Sequence, residues 1–212
     1  MKKLIVGILM AAAASVAVAQ GDAAAGKGKT AVCAACHGAD GNSAAPTFPK
    51  LAGQHPKYLA KQLHDMKKKP ENGGRMVPEM AAIVSGLSDQ DIEDIAAYYG
   101  SQTIQGGAAK ADLVKKGESV YRGGNQATAT PACTGCHTPD GKGNKGAGYP
   151  ALAGQHAEYI EKQLKAFRLA ADQPAADGAR VNDGDTRIMR DIAARMSDLE
   201  IKAVASFISG LR

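Results

Sequence analysis

All four cysteines of this 212-residue chain stand in two pentads of one pattern, Cys33-Ala34-Ala35-Cys36-His37 and Cys133-Thr134-Gly135-Cys136-His137. Two thiols in this spacing can add to the two vinyl groups of one haem, and the imidazole beside the second can reach its iron. Paired cysteines alone would also suit a disulfide, a thiol–disulfide couple or a zinc site of four thiolates. None of those needs a histidine after each pair. With 5 His in 212 residues, that coincidence has a chance of roughly 1 in 1,800. The pattern predicts two covalently attached haem c groups. Cys33, Cys36, Cys133 and Cys136 form the thioethers, and His37 and His137 are axial iron ligands.

Iron in a low-spin electron carrier takes a second strong axial donor, Met or His. A ligand used at both sites should recur at matched positions. Met80 and Met189 do so: each lies nine residues before the Asp of a repeated Ser-Asp pair, Ser88-Asp89 and Ser197-Asp198. In the same register Met76 faces Asp185. Met196 faces Leu87 and reads as core, and Met66 reads as helix packing. A lone Met is ordinarily a gap-filling core residue; recurrence favours Met80 and Met189 as the iron ligands. The competing pair is His55 and His156, which also recurs and would give bis-histidine ligation. His64 faces Lys165 and reads as a surface histidine. A ligating imidazole usually donates its other N–H to a carbonyl, and the matched Pro49 and Pro150 supply candidates. Arg75 and Arg187 are candidates to neutralise haem propionates, although they do not align.

The elements that must hold these residues also occur twice. The pentads repeat at an offset of 100, and Leu51-Ala-Gly-Gln-His55 repeats as Leu152-Ala-Gly-Gln-His156 at 101. Tyr58 and Gln62 match Tyr159 and Gln163, and the Ser-Asp pairs match at 109. The drift marks insertions in the second copy. A helix is expected from about Asp22 and another from about Asp112, each leading into a pentad. Gly-, Ser-, Asn- and Pro-rich loops follow, then a helix from Pro56, where a first-turn proline costs no hydrogen bond. The last helix of each copy opens with a capping box, Ser88/Asp91 and Ser197/Glu200, ahead of apolar residues at helical spacing. Both copies read as all-α. The expected units are 20–103 and 104–212, joined through polar residues 101–109.

Residues 1–19 read as a cleaved signal peptide: Lys2 and Lys3, an apolar run over 4–16, then Ala17-Val18-Ala19. The run is short for a membrane span of roughly 20 residues. The mature chain is expected to begin at Gln20, outside the cytoplasm, in the periplasm. Residues 20–105 carry 9 Lys+Arg and 9 Asp+Glu; residues 106–212 carry 15 and 12. Such asymmetry suits orienting a charged redox partner. There is no basic run with interleaved aromatics, so nucleic acid is not an expected partner. With no Trp, three Phe and six Tyr, the interior is poor in aromatics, which fits a core completed by a cofactor.

The pentads, the repeated Leu-Ala-Gly-Gln-His, Met80 and Met189, and the Ser-Asp-initiated helices together resemble the dihaem cytochromes c4, built from two tandem class I cytochrome c domains. The likeness spans the mature chain. It implies an all-α fold with each domain wrapped around one haem c, and haems near the domain interface. It further implies a periplasmic carrier, loosely associated with the membrane surface, that passes electrons from the cytochrome bc1 complex toward a terminal oxidase. His/Met coordination would leave no open position on either iron, so the expected protein is not an enzyme. The rivals are a dihaem peroxidase, which needs an open site, and a cytochrome subunit of a dehydrogenase.

Overall fold

A computed structural model describes residues 21–212. The predicted leader, 1–19, and Gln20 lie outside the described residues. The first unit begins with α1 (Ala23–Lys29), whose free N–H groups at Ala24 and Ala25 donate to the Asp22 carboxylate. Next is α2 (Ala31–His37), which carries the first pentad and stops at Gly38. A loop leads to α3 (Pro56–Met66), with proline in its first turn. A short α4 (Pro78–Ser85) and α5 (Asp89–Gly100) complete the unit. The Ser88/Asp91 capping box is formed at α5.

The second unit repeats the order. Helix α6 (Ala111–Gly123) is followed by α7 (Thr134–His137), a single turn carrying the second pentad. Then come α8 (Ala157–Asp172), α9 (Ile188–Ala193) and α10 (Asp198–Gly210), the last with its Ser197/Glu200 capping box. The described residues contain no strand, only isolated bridges at Asn125/Thr130 and Asn144/Tyr149. The predicted helices are present. Helices α4 and α9 are additions to the expected elements.

In each unit the first helix crosses the last. α1 packs on α5 and α6 on α10. Both crossings are so close that only glycine fits. A Cβ on Gly26 would lie 2.0 Å from the Asp94 carbonyl oxygen, and one on Gly117 would lie 2.2 Å from that of Ala203. Charge ties the first crossing: Asp94 accepts from the Asp22 N–H at 2.9 Å and from Lys29 Nζ at 2.7 Å. The apolar cores form around these crossings. Leu59, Ile92, Ile95 and Tyr99 fill the first. Val120, Tyr121, Ile160, Met196, Ile201, Val204 and Phe207 fill part of a larger second. Met196 is thus core, as its register predicted. Between the units, residues 103–110 hold no helix, and the Asn42 side chain grips this segment at Thr103 and Gln105.

Candidate functional site

In α2 the side chains of Cys33, Cys36 and His37 are three and four positions apart, so one face of one helix presents all three. The second set sits on the tight turn of α7, entered through Cys133. None of the four cysteines is paired in a disulfide. Burial raises the pKa of Cys33 and pushes that of Cys133 up to about 11. Such surroundings disfavour thiolates and suit uncharged thioethers. Among the described residues, no three His, Cys, Asp or Glu side chains gather into a bare-metal site. The two pentads therefore do not converge on one zinc ion.

His37 and His137 are buried, 6% and 8% exposed. The Nδ1–H of His37 donates to the Pro49 carbonyl at 2.9 Å, and that of His137 to the Pro150 carbonyl, also at 2.9 Å. These are the carbonyls the repeat pattern singled out. Each bond fixes the proton on Nδ1 and leaves the Nε2 lone pair free for a metal. Burial lowers both imidazole pKa values against the opposing pull of the carbonyls. Matched aromatics flank them: Phe48 lies 6.1 Å from the His37 ring and Tyr149 lies 6.3 Å from that of His137.

Met80 and Met189 occupy the first turns of α4 and α9, both half-buried. The short helices α4 and α9 lie against α3 and α8 respectively. Met76, by contrast, is 50% exposed. The competing histidines face the opposite unit. His156 Nε2–H donates to the Ser43 carbonyl at 2.8 Å, which commits that nitrogen to a protein partner. His55 is buried with both ring nitrogens unpartnered.

Between the units lies a cluster that contains Arg75, one of the two candidate arginines. Arg75 is buried and donates to Gln62 Oε1 at 2.8 Å, Gln163 Oε1 at 2.9 Å and Tyr159 Oη at 2.9 Å. Its structural counterpart is Arg180, not Arg187. Arg180 donates to Gln163 Oε1 at 2.7 Å, Gln62 Oε1 at 3.0 Å and Tyr58 Oη at 3.2 Å. The backbone agrees: the Arg75 N–H bonds the Asp65 carbonyl as the Arg180 N–H bonds that of Ala166. Arg187 instead bonds Asp191 and the Ala171 carbonyl. Insertions on both sides of Arg180 hid the match from a fixed-offset comparison. Among the described residues no carboxylate hydrogen-bonds either buried guanidinium. Two buried cations whose oxygen partners here are neutral would suit carboxylates, and haem propionates are carboxylates. Paired cysteines, a buried histidine with a free Nε2 and these two buried cations together fit haem c.

The sequence model of the family described as Cytochrome c matches residues 23–102 and again 114–212. Cytochrome c4 of Azotobacter vinelandii is 53% identical over 99% of this chain and 99% of its own length. The crystal structure of reduced recombinant cytochrome c4 from Pseudomonas stutzeri superimposes with a TM-score of 0.84. It is 54% identical and covers 91% of this chain and 100% of that one. The chain belongs to the cytochrome c4 family. As a cytochrome c4 it carries two covalent haem c groups on an all-α fold and transfers electrons. A further relative is the thiosulfate dehydrogenase electron acceptor of Stutzerimonas stutzeri, 37% identical over 84% of this chain and 78% of its own length. Among the described residues no helix is long and apolar enough to cross a membrane.

Proposed function

We propose that Cys33 and Cys36 bind the first haem, with His37 and Met80 as its axial ligands. Cys133 and Cys136 bind the second, with His137 and Met189. The unit boundary is placed between 103 and 104. The chain works in the periplasm after loss of residues 1–19, carrying electrons from the cytochrome bc1 complex toward a terminal oxidase, in loose contact with the membrane surface. The observation that carries this reading is repetition at the site. Each pentad histidine donates to a matched proline carbonyl at 2.9 Å, and each candidate methionine opens a matched short helix.

Bound haem supplies a one-electron Fe(III)/Fe(II) couple. The chain's residues set its terms. Thioether sulfur from Met80 and Met189 favours the ferrous state and raises the potential. With Met80 and Met189 as ligands beside His37 and His137, neither iron would keep a place for peroxide, which argues against a peroxidase. The buried His37 and His137 would hold the irons, and Arg75 and Arg180 would offset the charge of haem propionates. A second reading, electron acceptor of a dehydrogenase, draws support from the likeness to the thiosulfate dehydrogenase electron acceptor.

The oxidised optical spectrum tests the ligation. A red-region methionine–iron charge-transfer band integrating to two haems is expected. Met80→Ala or Met189→Ala should each remove half of it. A high-spin fraction in the unmodified protein would overturn the closed-site reading. Co-purification with a dehydrogenase rather than isolation as a free carrier would favour the second reading.

A further inference from the structure

The glutamines of the repeated Leu-Ala-Gly-Gln-His have no role in the sites described above. Both are buried, and both reach into the opposite unit. Gln155 Oε1 accepts from the Lys50 N–H at 2.8 Å, and Gln155 Nε2 donates to the Lys50 carbonyl at 2.8 Å. Gln54 mirrors this. Its Oε1 accepts from the Ala151 N–H at 3.0 Å, and its Nε2 donates to the Ala151 carbonyl at 2.8 Å. Each Oε1 also accepts from the next N–H of its own chain, at His55 and His156. The preceding glycines, Gly53 and Gly154, have φ of 69° and 75°. That left-handed turn, which glycine adopts without strain, precedes the glutamine that crosses the interface.

The Lys50 N–H and the Pro49 carbonyl belong to one peptide group. Gln155 therefore holds one end of the group whose other end holds His37. The Ala151 N–H and Pro150 carbonyl likewise join Gln54 to His137. Accepting from a peptide N–H shifts electron density onto that peptide's oxygen, so the two hydrogen bonds reinforce each other. A stronger acceptor on Nδ1–H makes the imidazole more basic, and a more basic ligand favours Fe(III).

We propose that Gln155 and Gln54 are positioning residues that tune the potential of the haem in the opposite unit, each acting through one peptide group on His37 or His137. This rests on the proposal that those histidines ligate the irons. Losing one glutamine acceptor should shift the opposite haem toward Fe(II) by about threefold to tenfold. That is ~30–60 mV at 59 mV per tenfold for one electron.

The test uses the full-length, two-haem protein. Spectroelectrochemistry gives both potentials, and NMR assigns each haem through its own pentad. Gln155→Leu should raise the potential of the Cys33/Cys36 haem and move the other by less. Gln54→Leu should do the reverse. Gln155→Glu keeps an oxygen acceptor and adds charge, so it should lower the potential of the Cys33/Cys36 haem. A mere loosening of the interface would not reverse sign between Leu and Glu. An unmoved potential in Gln155→Leu, or the same direction with both substitutions, overturns the proposal. If the His37 ring protons show no iron-induced shift, the ligation itself fails, separately from the tuning.

Discussion

Gly117→Ala tests the claim that the α6–α10 crossing is set by backbone contact. The new methyl would lie 2.2 Å from the Ala203 oxygen and 2.6 Å from Phe207 Cβ. Ordinary contact is about 3.5 Å or more, so α10 must withdraw by roughly 1 Å. A gap of that size forfeits about a quarter to a half of each dispersion contact across the crossing. Neither close atom can yield cheaply, because one is backbone and the other is the root of a buried side chain. Overpacking of this kind costs about 3 kcal/mol, at the upper end of its range. Alanine's helix propensity returns about 1 kcal/mol. The net loss is about 2 kcal/mol, or roughly 10 °C in the melting of the second unit. Calorimetry of the two-haem protein, with far-UV circular dichroism, reads it. Gly123→Ala in the same helix meets nothing within 4 Å and is the control, expected to leave stability unchanged or slightly raised. A Gly117→Ala protein that melts with or above the parent would refute the contact argument.

Two further outcomes are expected. The Asp94 carboxyl is held at about 2 by Lys29, the Asp22 N–H and Gln90, against an ordinary 3.8. A depressed carboxylate stabilises above its unfolded pKa and loses that contribution as pH falls through the folded one. Asp94→Asn should therefore flatten the acid-unfolding profile of the first unit between pH 3.8 and about 2, followed by circular dichroism. Arg180→Met removes charge-assisted hydrogen bonds to Tyr58 and Gln62 of the opposite unit. It should cost about 2–4 kcal/mol in denaturant unfolding and lower a haem potential by removing a buried cation.

What could be read from the sequence follows from where each signal resides. Helices α5 and α10 are legible because start and stop are local: Ser88/Asp91 and Ser197/Glu200 bond their own first turns. The proline carbonyls are legible because Pro49 and Pro150 recur at matched positions after each pentad. Helices α4 and α9 are not. They run 8 and 6 residues, lack a side-chain cap, and α9 begins after Arg187 with φ of 51°. Segments so short are held by packing against α3 and α8, and their own sequences do not encode that packing. Arg180 and the crossing glutamines stay hidden for the same reason. Their partners lie about 100 residues away, across an interface that no local pattern describes.

That interface also explains why two copies in one chain differ from two copies of one protein. In a single unit, the peptide behind the pentad histidine would lack its glutamine acceptor. Here each unit supplies the glutamine that covers the other's, so neither proximal environment is complete alone. The match between the two contacts is not complete. Lys50 stands where the second unit has Ala151. Its ammonium is buried against the Gln105 and Gly154 carbonyls, and burial pushes its pKa down. One proximal peptide thus lies beside a buried cation that the other lacks. Duplication made the two sites alike, and this substitution at their contact makes their electrostatics unequal.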